Sequence, residues 1–162
     1  MQDPYRSPSA RLDPLDERSP RSSIVAILLG GLLVDFFGTI VVSVILAVAL
    51  GTVLAARGYA EPDVVRWLDS DAYLYVTSAF GLLMTIAGGY VAGRWARVRE
   101  VWHGALAGAL SLVLGIPFLL LPEGLDPLWL NLLLRTIQIP AAMFGGRQAQ
   151  RRAERSMPEP MA

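Results

Sequence analysis

The chain contains no cysteine, no lysine and a single histidine, and only 17% of its 162 residues are charged. Without cysteine there is no disulfide, no thiol redox chemistry and no thiolate-ligated metal. One histidine and no cluster of carboxylates supply no donor set for a metal ion, so neither a metal nor a cofactor is expected. A nucleophile–base arrangement is missing as well. Ser111 and His103 share one apolar segment with no carboxylate placed to orient the imidazole, so no catalytic residue is assigned and no enzyme is expected. Nothing points to a nucleic-acid partner.

What is present is apolar length. Hydrophobic residues make up 54% of the chain, too many for an ordinary soluble domain of this size. They gather in four runs, 24–56, 72–93, 101–121 and 128–146. A hydrocarbon core about 30 Å thick takes roughly 20 apolar residues in a helix, and each run meets or nearly meets that length. The expected fold is all-α: a polytopic membrane protein built as a bundle of four transmembrane helices over 24–147, with the lipid bilayer as its main partner.

The arginines orient it. Arg6, Arg11, Arg18 and Arg21 precede the first run, Arg94, Arg97 and Arg99 lie between the second and third, and Arg147, Arg151, Arg152 and Arg155 follow the fourth. The other connections hold only Arg57 and Arg66. Arginine near a span end is retained on the cytoplasmic side, while acidic residues count for little. Eleven arginines against two place both termini in the cytoplasm and argue against a dual-topology dimer.

Residues 1–23, polar and proline-rich, cannot bury enough apolar surface to offset the entropy of ordering, and are expected to be disordered. Residues 148–162 form a cytoplasmic tail. Ala47-Val48-Ala49 has the look of a cleavage box, but the apolar run before it exceeds the 7–15 residues of a cleavable signal, so the first span is expected to stay uncleaved. At 1.5 Å per residue that span reaches about 50 Å, and must tilt or extend beyond the membrane. In the connection 59–71, Glu61-Pro62-Asp63 followed by Val64, Val65, Trp67 and Leu68 fits either a short amphipathic helix at the outer interface or an extension of the second span.

Small residues mark close helix packing. Gly81, Thr85, Gly89 and Gly93 follow one face of the second span; Gly104, Gly108, Ser111 and Gly115 do so in the third. Lipid gives helices no hydrophobic drive to associate, so their backbones must approach closely. Such seams serve contacts within the chain or with a second copy or another membrane protein, and the sequence does not separate these. The exits at Gly93-Arg94-x-Ala96 and Gly146-Arg147-x-Ala149 echo one another, which a duplicated hairpin produces and two cytoplasmic exits also produce.

The segment Gly88-Gly89-Tyr90-Val91-Ala92-Gly93-Arg94-x-Ala96, with His103-Gly104-Ala105-x-Ala107-Gly108-x-x-Ser111, resembles small, glycine-rich, uncharacterised four-span proteins of the bacterial inner membrane. Asp3-Pro4-Tyr5-x-x-Pro8 is similar to a leader on many small proteobacterial membrane proteins. The resemblance implies a four-span fold and an inner-membrane, multi-pass location, and brings no activity, cofactor or catalytic residue with it.

Two charges fall inside the apolar runs, where each costs roughly 2.5–3.5 kcal/mol at a helix centre. Asp35 lies about 16 Å and Arg135 about 18 Å from the cytoplasmic ends of their spans. Opposite charges at matching depth are a candidate ion pair. Each heads a polar stripe at helical spacing: Asp35, Thr39 and Ser43 on the first span, Asn131, Arg135 and Gln138 on the fourth. His103, at the mouth of the third span, is expected to be a boundary residue. Two functional classes follow. A structural or accessory membrane component acting through helix packing, the favoured reading, requires Asp35 and Arg135 to neutralise each other in a dry interior. A small transporter or channel requires that Asp35 face a cavity open to one side.

Overall fold

The computed structural model describes residues 20–119 and 128–155, and these are helical apart from short turns, with no strand among the described residues. Helix α1 runs unbroken over 20–56. It is α-helical over Pro20–Ile27, π-helical over Leu28–Phe37 and α-helical again over Gly38–Ala56. A short α2 (Glu61–Leu68) leads to α3 (Asp71–Ala96), α4 (Glu100–Leu119) and α5 (Leu128–Arg155). Three segments, Ser23–Ala56, Asp71–Ala96 and Glu100–Pro117, are long and apolar enough to cross a membrane. Helix α5 is longer than two of these, but Asn131, Arg135, Gln138 and Pro140 interrupt its apolar part and its last turns are charged.

Most of the segment expected to be disordered, 1–19, lies outside the described residues, as do 120–127 and 156–162. Pro20–Ser23 form the first turn of α1, and 148–155, within the segment assigned as a tail, continue α5 as helix. Helix α2 is a separate element, not the start of the second long helix. Pro62 sits in its first turn, where the missing N–H is harmless. Its last residues give way at Ser70, whose side chain accepts from the Tyr73 N–H at 3.3 Å and caps α3. Val64 packs over Gly51 of α1. The exposed Arg66–Asp63 pair at 3.5 Å contributes little.

The turn from α3 to α4 is made by Arg97 and Arg99, both left-handed at φ 53° and 46°, a conformation uncommon outside glycine. His103 belongs to this turn: it is buried, with Nδ1 3.2 Å from the Arg99 carbonyl oxygen. It therefore packs against the turn at the mouth of α4.

At this end the bundle closes on small residues. Ala142 of α5 is fully buried, and Gly89 of α3 with Gly104 and Gly108 of α4 all press against it. Gly93 meets Glu100 and Gly146, so the two glycine–arginine exits that echo each other in sequence also touch. Gly30 abuts Gly88 and Ala92, while Gly31 lies on Ala107, bringing the π-helical part of α1 against α3 and α4. The seam is therefore made within one chain. Towards the α2 end the packing changes: Gly38–Ala56 touches α2 and α3 but neither α4 nor α5 among the described residues. The helices spread apart there.

Candidate functional site

The spread leaves a cavity of about 510 Å³ that extends from Asp35 to Asp69 and Asp71, at the α2 end. The two candidate charges and both polar stripes line it: Asp35, Thr39 and Ser43 from α1, and Asn131, Arg135 and Gln138 from α5. Helix α3 adds Tyr73, Thr77, Ser78 and Thr85; α4 adds Ser111 and Gly115.

Asp35 is 3% exposed. It stands in the π-helical stretch, where the N–H of Gly38 reaches back to the Leu33 carbonyl. This winding usually lasts a single turn and recurs at functional sites; here it covers ten residues. Thr85 Oγ1 donates to Asp35 Oδ1 at 2.9 Å and also lies 3.2 Å from the Gly81 carbonyl. Ser111 donates across to the Gly31 carbonyl at 3.0 Å, and the side chains of Ser111 and Gln138 approach the carboxylate. Asp35 Oδ2 is buried and has no hydrogen-bond partner.

Arg135 does not pair with Asp35. Its Nη2 donates to the Gly115 carbonyl at 2.8 Å and its Nη1 to the Leu112 carbonyl at 3.5 Å. Its Nε is buried without a partner. Both line the cavity, but α1 and α5 are not packed on one another; α3 and α4 stand between them. Both charges therefore face one space and do not meet across a dry contact.

Two residues assigned to packing have other surroundings. A Cβ at Gly115 would lie 2.7 Å from Arg135 Nη1, so its glycine makes room for the guanidinium. A Cβ at Gly81 would meet only the Thr39 methyl of α1, at an ordinary 3.6 Å, so no neighbouring backbone presses on it. Ser111 bonds α4 to α1 and lines the cavity. Towards the mouth, Tyr73 Oη donates to the Ser43 carbonyl at 3.2 Å and ties α3 to α1. Thr77 bonds back to its own helix. No group of three or more His, Asp or Glu side chains is placed to hold a metal among the described residues.

A helical bundle with three membrane-length segments and a polar interior cavity defines the class. No family model matches the chain, and no curated protein or solved structure is similar to it.

Proposed function

We propose that this chain is a four-span protein of a bacterial inner membrane, with both termini cytoplasmic, whose bundle binds a small polar solute as a small transporter or channel does. The observation that carries this reading is the cavity joining buried Asp35 to the Asp69–Asp71 end. A component acting only through packing needs its interior charges neutralised, and here each keeps an unpartnered atom instead. Buried polar groups are rarely left so without a reason.

Helix α5 serves as the fourth span. Asn131, Arg135 and Gln138 line the cavity, while Leu132, Leu133, Met143 and Phe144 are exposed on its outside. Its low hydropathy is thus that of a span with one polar face turned inward, where intramembrane ionisable residues belong. The arginine bias then puts the cavity mouth on the periplasmic side.

Because the chain has no cysteine, single cysteines report access directly. Ser43→Cys and Thr77→Cys are expected to react with a membrane-impermeant maleimide added from the periplasmic side. Val44→Cys, one residue from Ser43 and 56% exposed on the outer surface, should stay unlabelled in the bilayer. Equal protection of all three would mean a sealed interior and return the chain to a packing role. Orientation is checked separately. A reporter that is active only in the periplasm, fused after residue 162, should be silent, and activity there would invert the topology.

A further inference from the structure

Around Asp35 the nearby hydrogen-bond donors are mostly engaged. The Thr85 hydroxyl is turned to Asp35 Oδ1 and that of Ser111 to the Gly31 carbonyl. The Gln138 amide approaches the carboxylate without closing a bond to Oδ2, which remains an unmet acceptor. At Arg135 the opposite holds. A guanidinium only donates; two of its nitrogens are engaged by the Leu112 and Gly115 carbonyls, and Nε is left over. Asp35 is approached by Ser111 and Arg135 is seated on Gly115. Those two α4 residues are one turn apart, about 6 Å along that helix, so the unmet acceptor and the unmet donor belong to the same stretch of the cavity wall.

We infer that the cavity takes a small zwitterion, a primary ammonium and a carboxylate one or two carbons apart, with the ammonium on Asp35 and the carboxylate on Arg135; this rests on the cavity being open to solvent. A cation alone leaves Arg135 Nε unmet, and an anion alone leaves Asp35 Oδ2 unmet. A zwitterion meets both with charge-assisted hydrogen bonds and adds no net charge to a low-dielectric interior. A quaternary ammonium, having no N–H, does not satisfy Oδ2. Away from the charges the walls carry Thr77 and Ser78 beside Leu74, which suits a small or polar substituent.

The test is thermal unfolding of the full-length protein in lipid nanodiscs with β-alanine, L-alanine, n-propylamine or sodium propionate. At least one of the two zwitterions should raise the midpoint by roughly 5–10 °C at concentrations about a hundredfold above its dissociation constant. Propylamine and propionate, alone or mixed, should not. Asp35→Asn and Arg135→Gln should each weaken zwitterion binding at least tenfold, taking it as about one lost charge-assisted bond. Should either variant fail to fold, protection of Thr77→Cys from maleimide by the same zwitterion gives the second readout. An equal shift with propylamine or with propionate overturns the zwitterion. So does the absence of any shift or protection while Ser43→Cys is still labelled, an outcome that leaves the open cavity standing. Loss of labelling as well would remove the cavity reading itself.

Discussion

Gly89→Leu is expected to abolish the folded bundle, while Gly81→Leu, eight residues earlier on the same helix, leaves stability within about 1 kcal/mol. Gly89 presses on the backbone of Ala142, and a Cβ there would run into its carbonyl group. The flexible end of a side chain can step aside; a helix backbone cannot. To admit leucine, α3 and α5 must separate, and the contacts of Gly104 and Gly108 on the same Ala142 go with them. Overpacking of a core by a few methylenes costs about 1–3 kcal/mol when side chains can adjust. Forcing two backbones apart exceeds that, against a total stability of only about 5–15 kcal/mol. Gly81 differs because its would-be Cβ meets only the Thr39 methyl at 3.6 Å, at the edge of the cavity. Leucine there fills open space, and the better helix propensity returns about 0.8 kcal/mol. Circular dichroism melts in detergent separate the two. Equal midpoints would turn the Gly89 face outward, and undiminished maleimide labelling of Thr77→Cys in the Gly81→Leu background would show that this edge does not narrow the cavity.

The contrast between those glycines shows how far the sequence could be read. Small residues at helical spacing announce close approach, and at Gly89, Gly93, Gly104 and Gly108 that is what they provide. The same spacing includes Gly81 and Gly115, because a glycine that admits another helix and one that admits a guanidinium are identical in a one-dimensional pattern. The polar stripes were legible because a four-residue period keeps Asp35, Thr39 and Ser43 on one helix face whatever the neighbours are. Which helix faces them was not. Matching depth made Asp35 and Arg135 natural partners, yet contact also requires α1 beside α5, and the packing of Gly30 and Gly31 sends α1 against α3 and α4 instead. Those two glycines stood outside the small-residue rows singled out in the sequence. The π-helical winding was invisible as well: a shift from i→i+4 to i→i+5 bonding follows from tertiary packing and has no residue signature of its own. Thr85 stood in the small-residue row, and its hydroxyl emerged as the partner of Asp35 only once α1 and α3 were in place.

Asp35→Asn is expected to keep or raise thermal stability, and Thr85→Val to lower it by about 1–3 kcal/mol. The order is opposite to that of a structural ion pair, in which removing the acid strands a buried base. The asparagine amide retains an oxygen to accept from Thr85, and its new N–H₂ group faces the side chains of Ser111 and Gln138 that already approach the carboxylate. The substitution also removes a charge that costs roughly 2.5–3.5 kcal/mol at the centre of a span. Arg135 is indifferent on this count, since its seating on the Leu112 and Gly115 carbonyls does not involve Asp35. Thr85→Val instead takes away the hydroxyl that donates to Oδ1 of a 3% exposed carboxylate, whose Oδ2 already lacks a partner. Replacing both, as Asp35→Leu with Thr85→Val, should recover most of that loss, because a pair of apolar groups leaves nothing unsatisfied. Melts of the three variants in one nanodisc preparation give the comparison. If Asp35→Asn proves as damaging as Thr85→Val, the carboxylate is a structural post and the packing role regains its case. If it is neutral or stabilising, the chain carries a charge at a cost to its own fold, as sites kept for a ligand commonly do.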